Sequence, residues 1–254
     1  GGEAVDGGGD RGDWWTWPKE RRNGARRPRV IQISHSDDVS LSGFAVCNAP
    51  SWTVHPYRCR RLRAAGLIIT NPPDSPNTDG FNPESCEAVE ITGLDISVGD
   101  DCIAIKAGKR DGKAIDHLAP TRDIIVRHCR MQRGHGAVVL GSEMSGGIEN
   151  VTVDRCEFID TDRGLRLKTR RGRGGVMRNI CLSDSTMSGV HTPLVVNAFY
   201  FCDPDGSSER VQSRAPAPVD ETTPRVESVR VERVTARGVS LAAAAIQFRN
   251  HFTC

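Results

Sequence analysis

Four short polar clusters interrupt an otherwise apolar pattern: Asn77-Thr78-Asp79-Gly80, Gly99-Asp100-Asp101, Gly134-His135-Gly136 and Arg166-Leu167-Lys168. Carboxylic acids, an imidazole and two strong cations suit acid/base chemistry on an anionic substrate. Three carboxylates held close together repel, so at least one is expected to have a raised pKa and keep a proton near neutrality. Such a carboxyl is a general acid. A second, ionised carboxylate would activate water or attack a sugar, and the two together perform glycoside hydrolysis. Arg166 and Lys168 beside them would bind a substrate carboxylate, the arginine through a bidentate fork. The expected substrate is therefore an acidic sugar polymer. Taken singly, each cluster has a blander explanation: a capping aspartate pair, a loop histidine, a solvated Arg-x-Lys face.

What joins them is a repeat. An apolar pattern at i, i+2, i+5 and i+7 recurs seven times, beginning at Val39, Leu62, Val89, Ile124, Val151, Ile180 and Val229. Within each unit the i, i+2 spacing is that of a strand, and the shift of three marks a bend into a second short strand. About fifteen residues after each first anchor comes a further apolar strand, as at Val54, Ile103 to Ile105, Val138 to Leu140, Leu165 with Leu167, and Leu194 to Val196. Corner plus distant strand is one coil. The first anchors are 23, 27, 35, 27, 29 and 49 residues apart, so compact coils carry loops of differing length, and stacking them predicts a parallel β-helix. Residues Ser213 to Pro224, in the longest interval, read as an exposed loop.

In this register Asp79 and Asp101, 22 residues apart, become lateral neighbours, and Asp100 and His135 each fall eleven residues after their coil's first anchor. Arg166 and Lys168 share one strand face, with Leu165 and Leu167 pointing inward. Cys129 and Cys156 occupy one core position in successive coils, and Cys59 and Cys86 each lie three residues before an anchor, so each pair should stack. A disulfide is plausible for the second pair in an oxidising compartment.

Composition sets outer limits. At 254 residues and 37% hydrophobic content the chain is long enough for one large domain or two small ones. Twenty-six glycines and fourteen prolines favour many tight turns and an all-β fold. A net charge of +2 argues against a general nucleic-acid binder, although Arg166, Lys168, Arg170, Arg171 and Arg173 crowd one stretch and suggest an anionic ligand there. No apolar run is long enough for a bilayer span, and Gly1 to Asp13 lack the features of a signal peptide. The nine cysteines include no C-x-x-C pair, which disfavours a zinc site, and their odd number leaves at least one thiol unpaired within the chain.

With these residues in place, the sequence resembles glycoside hydrolase family 28, the polygalacturonases, and is most similar to bacterial and plant exo-type members. The resemblance runs through Gly2 to Trp15, Ser51 to Pro56, Ser75 to Cys86, Gly99 to Gly108, Gly134 to Gly147 and Arg166 to Lys168. It implies a right-handed, pectin lyase-like parallel β-helix and inverting hydrolysis of α-1,4-galacturonosyl bonds. By position, Asp100 would be the general acid, Asp79 and Asp101 would activate water, and His135 would support the acid's protonation state. Asn77, Arg166, Lys168 and Tyr200 would bind the galacturonate. No metal or cofactor, nucleic-acid partner or membrane is implied, and a secreted or periplasmic monomer is expected. The chain begins at the family's Gly-rich opening and its pattern is lost after Ser240 to Ala245, with Gln247 to Cys254 unlike a continuing coil. Residues 1–254 are thus expected to form a single β-helix domain, incomplete at the N-terminus and at the C-terminus.

Other functions compete. A related hydrolase acting on rhamnogalacturonan or xylogalacturonan would share the fold, but Arg166 and Lys168 favour galacturonate at the cleavage site. A pectate lyase would need an Arg or Lys base among calcium-binding acids. From another class, the chain could be a non-catalytic β-helix that binds acidic glycans, or an inactive fragment; the intact aspartates argue against the binder.

Overall fold

The bend inside each i, i+2, i+5, i+7 unit is made at i+4. There stand Gly43, Gly66, Gly93, His128, Arg155, Asp184 and Arg233, all with φ between 48° and 69°. Glycine adopts this left-handed conformation freely, whereas the four side chains do so at about 1–2 kcal/mol each, which the stack's repeating contacts must offset. A second positive φ falls just before each first anchor, at Asp38, Arg61, Ala88, Asp123, Asn150, Asn179 and Ser228. This extra residue acts as a bulge that turns the next side chain inward.

The computed structural model describes residues 4–17, 25–110, 112 and 114–248. Three parallel sheets of seven, eight and five strands run through it. In the seven-stranded sheet Leu62 pairs with Val89, Val89 with Ile124, Ile124 with Val151, Val151 with Ile180 and Ile180 with Val229. The eight-stranded sheet aligns Val46, Ile69, Ile96, Met131, Phe158, Met187 and Ala236. The five-stranded sheet aligns Ile103, Val138, Leu165, Leu194 and Ala244. Every corner of the repeat that these pairings cover is in the expected register, and the fold is the right-handed parallel β-helix, the hand that parallel crossovers impose. Apart from one 3-10 turn at Trp14–Thr16 and one helical turn at Glu209–Gln212, the regular structure described is strand.

The coil starting at Leu62 escapes the pattern. Its third side holds Pro72, Pro73 and Pro76, which cannot donate to a ladder. The sheet is continued there only by isolated bridges: Phe81 to Val54 and Ile103, and Glu84 to Tyr57 and Lys106. At the far end, Ala244–Gln247 pairs with the strand Thr192–Asn197, so the last coil continues through Gln247; residues 249–254 lie outside the described ones. No helix among the described residues is long and apolar enough to cross a membrane.

Inside, identical positions stack coil on coil. Leu62, Val89, Ile124, Val151 and Ile180 form one buried column, and Ile91, Val126, Val153 and Leu182 another. Buried Cys129 and Cys156 stack as foreseen. The next coil places Ser185 in that column, where its hydroxyl accepts the Cys156 N–H and donates to Ser183 O, so its burial leaves no polar group unsatisfied. Cys59 and Cys86 also stack, the Cys59 N–H lying 3.4 Å from Cys86 Sγ, but as free thiols; no disulfide joins the described cysteines. Residues 213–224 are exposed to half-buried, as expected of a loop.

Candidate active site

The site is built across four coils. The Gly80 N–H donates to Asp101 O at 3.0 Å, which lays Asp79 beside Asp101. Contact is close enough that a Cβ at Gly80 would stand 2.5 Å from Cys102 O, so any larger residue would pry the two coils apart. One coil further, the His135 N–H donates to Asp100 O at 3.2 Å. That approach relies on Gly134, whose φ is +70° and whose Cβ would lie 2.1 Å from the same oxygen. Opposite, Arg163–Lys168 brings Arg166 and Lys168 to the same patch while Leu165 and Leu167 enter the core.

The three aspartates converge: one carboxylate oxygen from each of Asp79, Asp100 and Asp101 lies within 4.8 Å of the others. Asp79 and Asp101 are buried and Asp100 is half-buried. Lys168 Nζ donates to Asp101 Oδ2 at 2.6 Å, and Arg166 Nη1 stands 3.9 Å from Asp101 Oδ1. Lys106 Nζ, equally buried, is 3.8 Å from Asp79 Oδ2. Two ammonium groups therefore supply positive charge beside the three clustered carboxylates.

These surroundings separate the acids. Burial, then the neighbouring Asp100 charge, pushes the Asp79 carboxyl up to about 8. Burial acts on Asp101 too, but Lys168 and then Arg166 outweigh it and hold that carboxyl below its ordinary value. Of the trio, Asp79 is therefore the carboxyl whose surroundings favour keeping a proton near neutrality. Asp100 accepts hydrogen bonds at both oxygens, from the Asp101 N–H at 2.9 Å and from Asn77 Nδ2 at 3.3 Å. Asn77 is held in turn by Arg27, whose guanidinium donates to its Oδ1. Since a guanidinium only donates, the amide must present its NH2 to Asp100.

All eight expected residues meet at this patch, though not on equal terms. Lys168 is more enclosed than an exposed Arg-x-Lys face would be, and its ammonium lies 5.3 Å from the centre of the Tyr200 ring. Burial, then a hydrogen bond with Cys202, raises the Tyr200 hydroxyl. His135 sits at the rim, exposed, and its Nδ1 lies 2.9 Å from Asp162 Oδ2. That hydrogen bond raises the imidazole and lowers Asp162. Sequence reasoning missed Asp162, as well as Lys106, Glu143, Asn82 and Arg27. Asn82 Nδ2 donates to Asp79 Oδ2 at 2.7 Å, and Glu143 Oε2 lies 3.2 Å from Lys106 Nζ. An apolar groove of about 520 Å³ over Leu62, Val89 and Ile125 lies instead on the outer face of the seven-stranded sheet.

The sequence matches the profile of glycosyl hydrolases family 28 over residues 1–243. It is 33% identical over 245 residues to a probable polygalacturonase of Vitis vinifera, covering 94% of this chain and 46% of that one. It is 33% identical over 190 residues to an endo-polygalacturonase of Pectobacterium carotovorum subsp. carotovorum, covering 74% and 45%. The fold superposes on a hyperthermoactive exopolygalacturonase of Thermotoga maritima with a TM-score of 0.75 and 31% identity, covering 87% of this chain and 46% of that one. The chain thus spans about half the length of the curated relatives it matches.

Proposed function

The chain belongs to glycosyl hydrolase family 28, and from that premise we propose that it hydrolyses the α-1,4-galacturonosyl bonds of polygalacturonan, the backbone of pectin. The observation that carries this is the trio Asp79, Asp100 and Asp101 within 4.8 Å, flanked by Lys168 and Arg166. Asp100, the least buried of the three, protonates the leaving glycosidic oxygen, while Asp79 and Asp101 orient and deprotonate the attacking water. This requires the resting proton on Asp79 to leave that carboxyl when substrate binds. His135, fixed by Asp162, supports the protonation state of the acid from the rim. Arg166 takes the sugar carboxylate, helped by Asn77 and Tyr200, and Lys168 divides its charge between that carboxylate and Asp101.

Inversion rests on the family resemblance, since these oxygens are closer than the roughly 6.5–9.5 Å usual between the acid and base of inverting enzymes. Proton NMR of the first product decides it: inversion releases the β-anomer. A polymeric substrate supports a site of action outside the cytoplasm, and the family supports a secreted or periplasmic enzyme.

The primary test is reducing-end release from polygalacturonate by the wild type and by Asp100→Asn. Turnover is expected to fall by about 10²–10⁴-fold with polymer binding retained. Binding without turnover in the wild type would instead make the chain a glycan-binding β-helix. Turnover of rhamnogalacturonan or xylogalacturonan in preference to polygalacturonate would reassign the substrate within the pectin backbone.

A further inference from the structure

Asp101 and Asp79 are neighbours with different fates, and their lysines explain why. Gly141 pairs with Lys168, and Ile105 with Leu140, so Lys106, one residue on, stands in the same ladder column as Lys168 two coils away. Each lysine leans toward one buried aspartate. Lys168 reaches Asp101 at 2.6 Å, a full hydrogen bond, whereas Lys106 stops 3.8 Å short of Asp79. The difference is Glu143, which holds the Lys106 ammonium at 3.2 Å on its other side, while the face of Trp52 lies 4.5 Å away. The Lys106 backbone is pinned as well, its N–H donating to Pro83 O and its O accepting from the Ser85 N–H. The ammonium therefore stands between two carboxylates.

We propose that Lys106 and Glu143 are a positioning pair that decides which carboxyl of the catalytic cluster carries the shared proton. The pair rests on the hydrolase reading for its purpose, though not for its chemistry. When Glu143 holds Lys106, Asp79 keeps the proton. When Lys106 moves toward Asp79, that carboxylate ionises as a base and the proton is left for Asp100, its partner in the trio. Glu143 is suited to the role. Burial would push its carboxyl up, but Lys106, then Arg173 and Lys168, hold it well below the usual range, so it remains an anion that competes for the ammonium. Lys106 stays charged for the mirror reason: Glu143, then Asp79 and Asp101, outweigh the burial that would lower it. The other charged or titratable groups that act on Asp79 are Asp100, Asp101, Lys168, Arg27, Arg29 and the Cys102 thiol. None of them bridges Asp79 to a second carboxylate at the distances of Lys106.

The test is a carbon-13 NMR titration of the Asp79 carboxyl in the full chain, assigned with Asp79→Asn. Lys106→Met removes the cation and should raise the Asp79 midpoint by about 1–3 pH units; Glu143→Gln frees the cation for Asp79 and should lower it by about one. The acid limb of the turnover–pH profile on polygalacturonate should move in the same two directions. A residue with only a packing role would lower stability without moving either midpoint. Unmoved midpoints, or shifts of the same sign in both variants, would overturn the proposal. If Lys106→Met does not fold, Glu143→Gln decides alone, since its side chain is 29% exposed and its removal leaves no cavity. A wild type without turnover would sink the hydrolase reading but leave the titration to decide this one.

Discussion

Replacing Lys168 by methionine tests the electrostatic reasoning most directly, because it keeps the side chain's bulk and deletes its charge. At 2.6 Å and an effective dielectric of about 20, the Lys168–Asp101 attraction is about 6 kcal/mol before desolvation. Both groups are buried, at 5% and 1% exposure, so the variant leaves a carboxylate without its partner. Breaking such a pair costs about 3–5 kcal/mol at pH 7. The cost must depend on pH. In the wild type the Asp101 carboxyl is held low, so its contribution is complete above the unfolded value of about 3.9 and is lost only as pH falls through the lower folded value. In the variant, burial acts with less opposition and raises the same carboxyl, which destabilises the fold as pH rises. The gap between the two proteins therefore widens from acid to neutral pH. Urea unfolding at pH 4 and pH 7 measures it: the difference should shrink at pH 4 toward the roughly 1 kcal/mol of a lost hydrogen bond. Equal differences at both pH values would refute the reasoning.

Two further outcomes follow from the site. Asp162→Asn removes the carboxylate that raises His135, so the imidazole midpoint, followed by proton NMR, should fall toward 6.5; an unchanged midpoint would mean that the contact does not persist in solution. Gly134→Ala forces a side chain into left-handed backbone and a methyl against Asp100 O, and should lower stability by about 2 kcal/mol or more and reduce turnover together. Normal melting and normal turnover in that variant would show that the coils are not packed this closely.

Much of this was legible because a solenoid turns sequence distance into spatial distance. The count of eleven residues that set Asp100 beside His135 also places Asp162 after Val151 and His191 after Ile180, and His191 Nδ1 indeed lies 3.4 Å from Asp162. A count of seventeen likewise puts Lys106 after Val89 and Lys168 after Val151 in one column. Both were within reach of the arithmetic and were missed because it was applied only to clusters already conspicuous. Other features are not periodic. Arg27 reaches Asn77 from a segment that follows no repeat, and the proline-filled side of the coil from Leu62 hides the bridging residues Phe81 and Glu84. The location of the proton was also beyond reach: three adjacent aspartates predict that one stays protonated, but only the closer hold of Lys168 and Arg166 on Asp101 than of Lys106 on Asp79 selects Asp79.

The loops between coils differ by as much as 26 residues, from an interval of 23 to one of 49, yet the strand pairings on either side never slip. Length added at these joints is invisible to the floor of the groove. Loop length and site geometry are thus carried on separate parts of the scaffold: a descendant could acquire taller or shorter banks with no aspartate displaced.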